Sequence, residues 1–336
     1  VLAHDGVTPL AAGEDDLVAS LREICATTAP EKLVLGIGDD AAAWRPSRSN
    51  LSVITTDALV EDVHFTLGAM SARDIGWRAL AANLSDIAAM GARPVLATIA
   101  LGVNARSDPA WIRELYAGMA LLARRSGCAL AGGDITRCPA ISIAITVVGE
   151  VRPSNLKRRS GARPGDVVAV TGPLGGSHAG LRLLQARPQL ADDPRFAQAV
   201  RAFRTPEPCL AAGRWLGASR NVHALMDSSD GLSTDLSRLC AASGVGALVE
   251  AVPVNPAATE VAELLGERPM AYALDGGEDF ALIVVLAAGA FGYLSGRFAQ
   301  RFGTPLLRVG TITAEREIRR QGGELIAAAG WDHFAT

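Results

Sequence analysis

Apolar positions fall into step at helical spacing from Gly13 to Thr28, with Leu17, Leu21 and Ile24 on one face, and predict an amphipathic helix. The run Leu51 to Asp57 (LSVITTD) is β-branched and predicts a strand. Ser71 to Ala92 predicts a long helix closed by Gly91 and Pro94, followed by a strand from Pro94 to Val103. Asp108 as cap and Pro109 as first helical residue predict a helix to Ser126. Ile141 to Val151 predicts another strand. The stretch Pro153 to Asp166 (PSNLKRRSGARPGD) then gathers proline, glycine and charge, the composition of a domain boundary. Two domains follow, 1–152 and 153–336.

The second half restarts with a strand, Asp166 to Thr171, the glycine-rich turn TGPLGGSHAG and a helix from Ala179 to Ala186. Helices are predicted over Pro194–Phe203, Pro206–Ala218 and Gly289–Phe302, and DSSDG opens one that runs to Ala242. Strands are predicted over Val222–Met226, Ala247–Ala251, Phe280–Leu286 and Leu306–Thr311. Strands and helices mix without strict alternation, so the fold class is α+β in both halves and not a Rossmann sheet.

Composition narrows the function classes. A chain of 336 residues exceeds what one core fills, in agreement with two domains. With 49% hydrophobic and 20% charged residues it is globular. The net charge is −3 and the closest approach to a basic cluster is Lys157-Arg158-Arg159, so no footprint for nucleic acid is present. Five scattered cysteines without C-x-x-C spacing indicate a reducing compartment and argue against a disulfide framework or zinc site. Val1 to Gly13 has no signal-peptide pattern, and the longest apolar stretch, Phe280 to Leu294, contains glycines and is too short for a membrane span. A cytoplasmic protein with no membrane partner is expected.

Six stretches set an acid beside glycine, serine or threonine in apolar surroundings: GIGDD (Gly36–Asp40), TTD (Thr55–Asp57), NLSD (Asn83–Asp86), GGD (Gly132–Asp134), DSSDG (Asp227–Gly231) and GGEDF (Gly276–Phe280). Strand alternation projects Thr55 and Asp57 together, an oxygen-donor pair suited to Mg²⁺. On the helix, Asp86 points away from the stripe of Trp77, Leu80, Leu84 and Ile87. Taken singly, NLSD reads as an exposed helix residue, DSSDG as a turn with a helix cap, GGD as a turn and GGEDF as a loop entering a strand. Taken together they predict a shared metal cluster, because converging acids repel without cations. TGPLGGSHAG fits an anion site at a helix N-terminus and a tight strand-to-helix connection equally well. No P-loop, H-E-x-x-H or G-x-S-x-G motif is present.

GIGDD, TTDALVEDVHF, NLSDIAAMGARP, AGGDITR, DSSDGL and GGEDF occur in this order, and the match runs on to the terminal GWDHF, Gly330 to Phe334. In that set the chain resembles the thiamine-monophosphate kinase family, over essentially its whole length. The resemblance implies a two-domain AIR synthetase-like (PurM-like) α+β architecture, an N-terminal sheet domain plus a C-terminal α+β domain. It also implies an ATP site between the domains and a homodimer built by the amino-terminal sheets. The implied reaction is transfer of the γ-phosphoryl group of ATP to thiamine monophosphate, with several Mg²⁺ ions. Matching positions make Asp40, Thr55, Thr56, Asp57, Asp86, Asp134, Asp227 and Asp230 metal ligands. Gly133, Asp134, Arg159 and Ser229, with Tyr116 on a looser motif, would contact ATP. His64, Glu278 and Trp331 would contact thiamine phosphate; many family members have tyrosine in place of Trp331. Asp39 faces away from Asp40 in extended geometry and would support the turn.

The acceptor is a phosphate oxygen already ionised at neutral pH, so no general base is expected; charge neutralisation and in-line positioning suffice. Three rivals share the fold. Selenophosphate synthetases carry a reactive cysteine and a lysine near the start, whereas here Cys25 lies within a helix pattern and no lysine precedes Lys32. Hydrogenase-maturation relatives end in a modified cysteine, whereas this chain ends DHFAT. AIR synthetases lack the aspartate pair in the first glycine motif. A non-catalytic nucleotide or metal-binding module is the rival of another class. A dinucleotide-dependent oxidoreductase lacks its glycine fingerprint.

Overall fold

The structure is a computed structural model that describes residues 14–28, 32–38, 40–104 and 107–330. The chain divides into two compact units, Val1–Asn83 with Pro94–Glu150, and Leu84–Arg93 with Val151–Thr336. The division after Glu150 lies two residues before the sequence boundary, and the second unit also takes in the segment Leu84–Arg93.

The first unit runs α1 (Glu14–Ala26), β1 (Leu33–Leu35), β2 (Ala43–Trp44), β3 (Leu51–Val60), α2 (Ala72–Ala89), β4 (Arg93–Val103), α3 (Pro109–Ser126), β5 (Ala129–Arg137) and β6 (Ser142–Val151). Four strands form one sheet in the order β3-β6-β4-β5, and β1 pairs with β2 in a separate antiparallel ribbon. Helix α3 is the crossover between the parallel strands β4 and β5. Its start is fixed as the sequence demands. Asp108 accepts from the Trp111 N–H at 2.6 Å, and Gly127 ends it in the left-handed conformation. Three strands of this unit were not legible beforehand, β1, β2 and β5; in the last, GGD reads as a turn, yet Gly132, Gly133 and Asp134 continue the strand at the edge of the sheet.

The second unit runs β7 (Val167–Val170), α4 (Gly176–Ala186), α5 (Ala197–Arg204), α6 (Leu210–Gly217), β8 (Val222–Asp227), α7 (Leu232–Ser243), β9 (Gly246–Val249), α8 (Pro256–Leu265), α9 (Pro269–Asp275), β10 (Leu282–Leu286), α10 (Phe291–Phe302), β11 (Leu307–Thr313) and β12 (Ile318–Arg320). The sheet order is β12-β9-β11-β7-β10-β8. Strands β7 and β10 read as unbroken apolar runs because the sheet is covered on both faces. Val168, Val170, Ile283 and Val285 pack into one core with α7, whereas Val167, Ala169, Leu282, Val284 and Leu286 pack into another with α6 and α10. Helices α8 and α9 were missed by the periodicity reading, although Asn255 caps α8 and a proline opens each. Among the described residues no helix is long and apolar enough to cross a membrane.

Candidate active site

In the first unit Asp57 and Asp134 ride on strands, and Asp40 stands in a loop. Thr55 and Asp57 alternate along β3 and share a face, half-exposed. The Asp57 N–H donates to Asn83 Oδ1 at 3.2 Å, while Asn83 Nδ2 donates back to the Ala79 carbonyl of its own helix at 3.2 Å. The fully buried Asn83 thereby ties the strand to α2. Gly133 lies opposite Ile99 and Asp134 opposite Ala100 in the β4–β5 ladder, both exposed. Position 133 admits only glycine, since a Cβ would stand 2.0 Å from the Ile99 carbonyl oxygen. Asp40 is exposed in the loop between β1 and β2; no helix follows that loop, so GIGDD offers no helix N-terminus to a phosphate. The Val60 N–H donates to His64 Nδ1 at 3.0 Å, so the ring proton resides on Nε2.

In the second unit the acids stand at a strand end, on the last turns of α2 or in loops. Asp227 ends β8 and is 2% exposed. Burial pushes its carboxyl well above the usual range, and the negative charge of Asp86 pushes the same way. The Ser85 hydroxyl, donating at 2.7 Å, and the Arg159 charge oppose them. Asp86 is partly exposed between buried Ser85 and Ile87. Arg159 owes its place to Ser243, whose hydroxyl donates to the Arg159 carbonyl at 3.0 Å and accepts from the N–H groups of Gly161 and Ala162 at 3.2 Å. Its neighbour Lys157 is a buried strut, with Nζ on the carbonyls of Ser219 and Val222 at 2.8 Å.

The loop DSSDG is shaped by a residue that motif reading missed. Asp235, fully buried in the first turn of α7, accepts from the N–H groups of Ser229 at 2.9 Å and Asp230 at 3.0 Å. Burial holds its carboxyl up at about 6 against those bonds. Its signal was an acid in the first turn of a helix, where the helix dipole favours negative charge. Arg238 ion-pairs with both Asp230 and Asp235.

GGEDF docks against DSSDG: the Glu278 N–H donates to the Ser229 carbonyl at 2.8 Å and the Phe280 N–H to that of Ser228 at 3.1 Å. A Cβ on Gly277 would stand 2.2 Å from the Ser229 carbonyl oxygen, so this contact also demands glycine. The Gly330 N–H donates to Thr234 Oγ1 at 3.0 Å, which brings the end of the described chain to the same helix start.

The glycine-rich turn before α4 does hold an anion, and the anion is internal. Asp279 accepts from the N–H groups of Gly175 at 2.5 Å and Ser177 at 2.9 Å, and from that of Gly176. Of the two readings left open for TGPLGGSHAG, the tight structural connection is the one realised.

Two expected site residues have their side chains engaged or buried elsewhere. Tyr116 is 4% exposed, buried in α3 near Cys25, and offers little surface to a nucleotide. Thr56 points to the opposite face of β3 from Thr55 and Asp57, with its hydroxyl on the Ile145 carbonyl at 3.0 Å. Trp331 and Asp39 lie outside the described residues. Among the described residues no three His, Cys, Asp or Glu side chains form a metal-holding group. The donors are nevertheless all hard oxygens, and the negative charges of Asp86 and Asp227 repel each other. That fits Mg²⁺, which takes one or two carboxylates and completes its shell with water and substrate phosphate.

Residues 38–151 match the family of AIR synthase related proteins, N-terminal domain, and residues 163–322 match the corresponding C-terminal domain. A thiamine-monophosphate kinase from Synechococcus elongatus is 38% identical, over 96% of this chain and 97% of that protein. The crystal structure of thiamine-monophosphate kinase from Stenotrophomonas maltophilia superposes with a TM-score of 0.82 at 36% identity, covering 96% of this chain and all of that one. AaThiL complexed with AMPPCP and TMP gives 0.76 at 27% identity, over 98% of this chain and all of that one. With both domain families matched and the likeness running almost end to end, the chain belongs to the thiamine-monophosphate kinase family of AIR synthase related proteins.

Proposed function

We propose that this chain transfers the γ-phosphoryl group of ATP directly and in line to thiamine monophosphate, giving thiamine diphosphate and ADP. The observation that carries the reading is the docking of GGEDF on DSSDG, which sets Glu278 beside Ser229 in a chain related along its length to thiamine-monophosphate kinases. The attacking oxygen belongs to a phosphate that is ionised at neutral pH, so the protein's task is positioning and charge balance.

Asp40, Thr55, Asp57, Asp86, Asp134, Asp227 and Asp230 are the residues that would hold Mg²⁺. When bound, the ions supply neutralisation of the charge on the phosphates. Gly133 and Asp134 offer a backbone surface and a carboxylate from the open edge strand, while Arg159 and Ser229 meet the nucleotide in the second unit. His64 Nε2–H donates to the acceptor, Glu278 complements the positive charge of the thiazolium, and Trp331 stacks on a heteroaromatic ring.

The working form is a homodimer. Strand β3 is an edge of its sheet and exposes Leu51 (44%) on one face and Ile54 (70%) on the other, apolar surface at an open edge that a second copy would cover. The free cysteines support a cytoplasmic location. Incubation with thiamine monophosphate, ATP and Mg²⁺ is expected to yield thiamine diphosphate and ADP in equal amounts. Turnover of an AIR-type substrate, with none of thiamine monophosphate, would overturn the reading.

A further inference from the structure

Glu278 has a φ of 65° and Phe280 a φ of 50°, both in the left-handed region. For residues with a side chain this conformation is costly and persists only where the surroundings impose it. Two restraints impose it here, from opposite sides. The N–H groups of Glu278 and Phe280 are held by the carbonyls of Ser229 and Ser228. Between them, the Asp279 side chain turns the other way and takes the N–H groups that open α4. Those bonds are charge-assisted and lie at the positive end of an 11-residue helix. The segment is stretched between two anchors, and Asp279 is one of them.

We propose that Asp279 is a positioning residue: by anchoring GGEDF to the start of α4 it holds Glu278 in the left-handed conformation that meets thiamine monophosphate, and so sets acceptor affinity without touching the acceptor. This rests on the reading of Glu278 as a substrate contact. The chemistry of the anchor is selective. Three N–H donors need a carboxylate; an asparagine offers one acceptor oxygen and turns its own N–H₂ toward them.

The test is a double-mutant cycle on the full chain with Asp279→Asn, Glu278→Gln and both together, measuring steady-state kinetics at saturating ATP-Mg²⁺ and the unfolding midpoint of each. Asp279→Asn is expected to raise KM for thiamine monophosphate about tenfold, the scale of one charged hydrogen bond, with kcat and KM for ATP changed less than about twofold. Added to Glu278→Gln it should have little further effect, because the two act as one unit. An unchanged KM, a parallel loss in every parameter, or effects that multiply in the double variant would each overturn the proposal. Glu278→Gln with the wild-type KM refutes the reading of Glu278 itself, and the proposal with it. An impaired Glu278→Gln beside an unimpaired Asp279→Asn refutes the proposal alone. Should Asp279→Asn fail to fold, Asp279→Glu keeps the charge and both oxygens but displaces them by one methylene. The same selective rise in acceptor KM is then expected, and its absence decides against the anchor.

Discussion

Thr55, Asp57 and Asp134 stand on strands of a four-stranded sheet, whereas Asp227, Ser229, Asp230 and Glu278 stand at a strand end or in loops. On the strands the backbone ladder sets each side chain's direction, and little else is needed. In the loops the direction is set by other side chains: Asp235 under DSSDG, Asp279 behind GGEDF, Ser243 beneath Arg159. Burial differs as well. Asp57 is half-exposed and Asp134 exposed, while Asp227 is 2% exposed and repelled by Asp86. Acids of the same presumed task thus carry different structural costs, and substitutions should separate task from cost.

The sharpest separation comes from Asp57→Asn and Asp227→Asn. Both are expected to lower kcat by about a hundredfold or more, the scale of losing one preorganised electrostatic contact. Their effects on stability should diverge. Removing the buried, repelled charge of Asp227 is expected to raise the melting temperature of the metal-free protein at pH 8 by a few degrees, roughly the effect of 1 kcal/mol. Asp57→Asn should leave it within about one degree, as is usual away from the core. Calorimetry beside turnover measures both; a destabilised Asp227→Asn would remove the distinction.

Next in size are the glycines at which backbones touch. Gly133→Ala and Gly277→Ala each force a Cβ into a carbonyl oxygen and should cost about 1–3 kcal/mol, read by denaturant unfolding. Gly132→Ala meets nothing within 4 Å and is expected to be tolerated, although it sits in the same GGD. Equal effects at 132 and 133 would contradict the placement of GGD in β5.

That pair also shows what sequence could and could not supply. The pattern located most strands and helices, and the order of motifs located the family. It missed β5 because two glycines weaken any strand signal; only the partner strand reveals that Gly133 is needed for close approach. It named GGEDF but gave Asp279 no role, because the partner of that carboxylate lies 104 residues away in the chain. Asp235 was readable in principle as a helix-start acid. The burial of Tyr116 followed from packing of α3 that a loose motif does not encode.

A smaller effect is expected at Ser243. Replacing it by alanine frees the main chain at Arg159 and should raise KM for ATP severalfold, the scale of one or two neutral hydrogen bonds, with acceptor KM unchanged. Glu267 should give the smallest effect. Hydrogen bonds from Arg182 and then Tyr272 hold its carboxyl down at about 2, against an ordinary value of 4.5. A depressed acid contributes stability above pH 4.5 that is lost as pH falls through about 2. Glu267→Gln should flatten the fall in melting temperature across that window, modestly because the pair is partly solvated.

The central claim, direct transfer to thiamine monophosphate, is tested most directly by rapid quenching of a single turnover with γ-labelled ATP. The account predicts that label enters thiamine diphosphate as fast as it leaves ATP, with none on the protein at any time. Label that passes through a protein-bound phosphate before reaching product, or ADP formed without thiamine diphosphate, would contradict it.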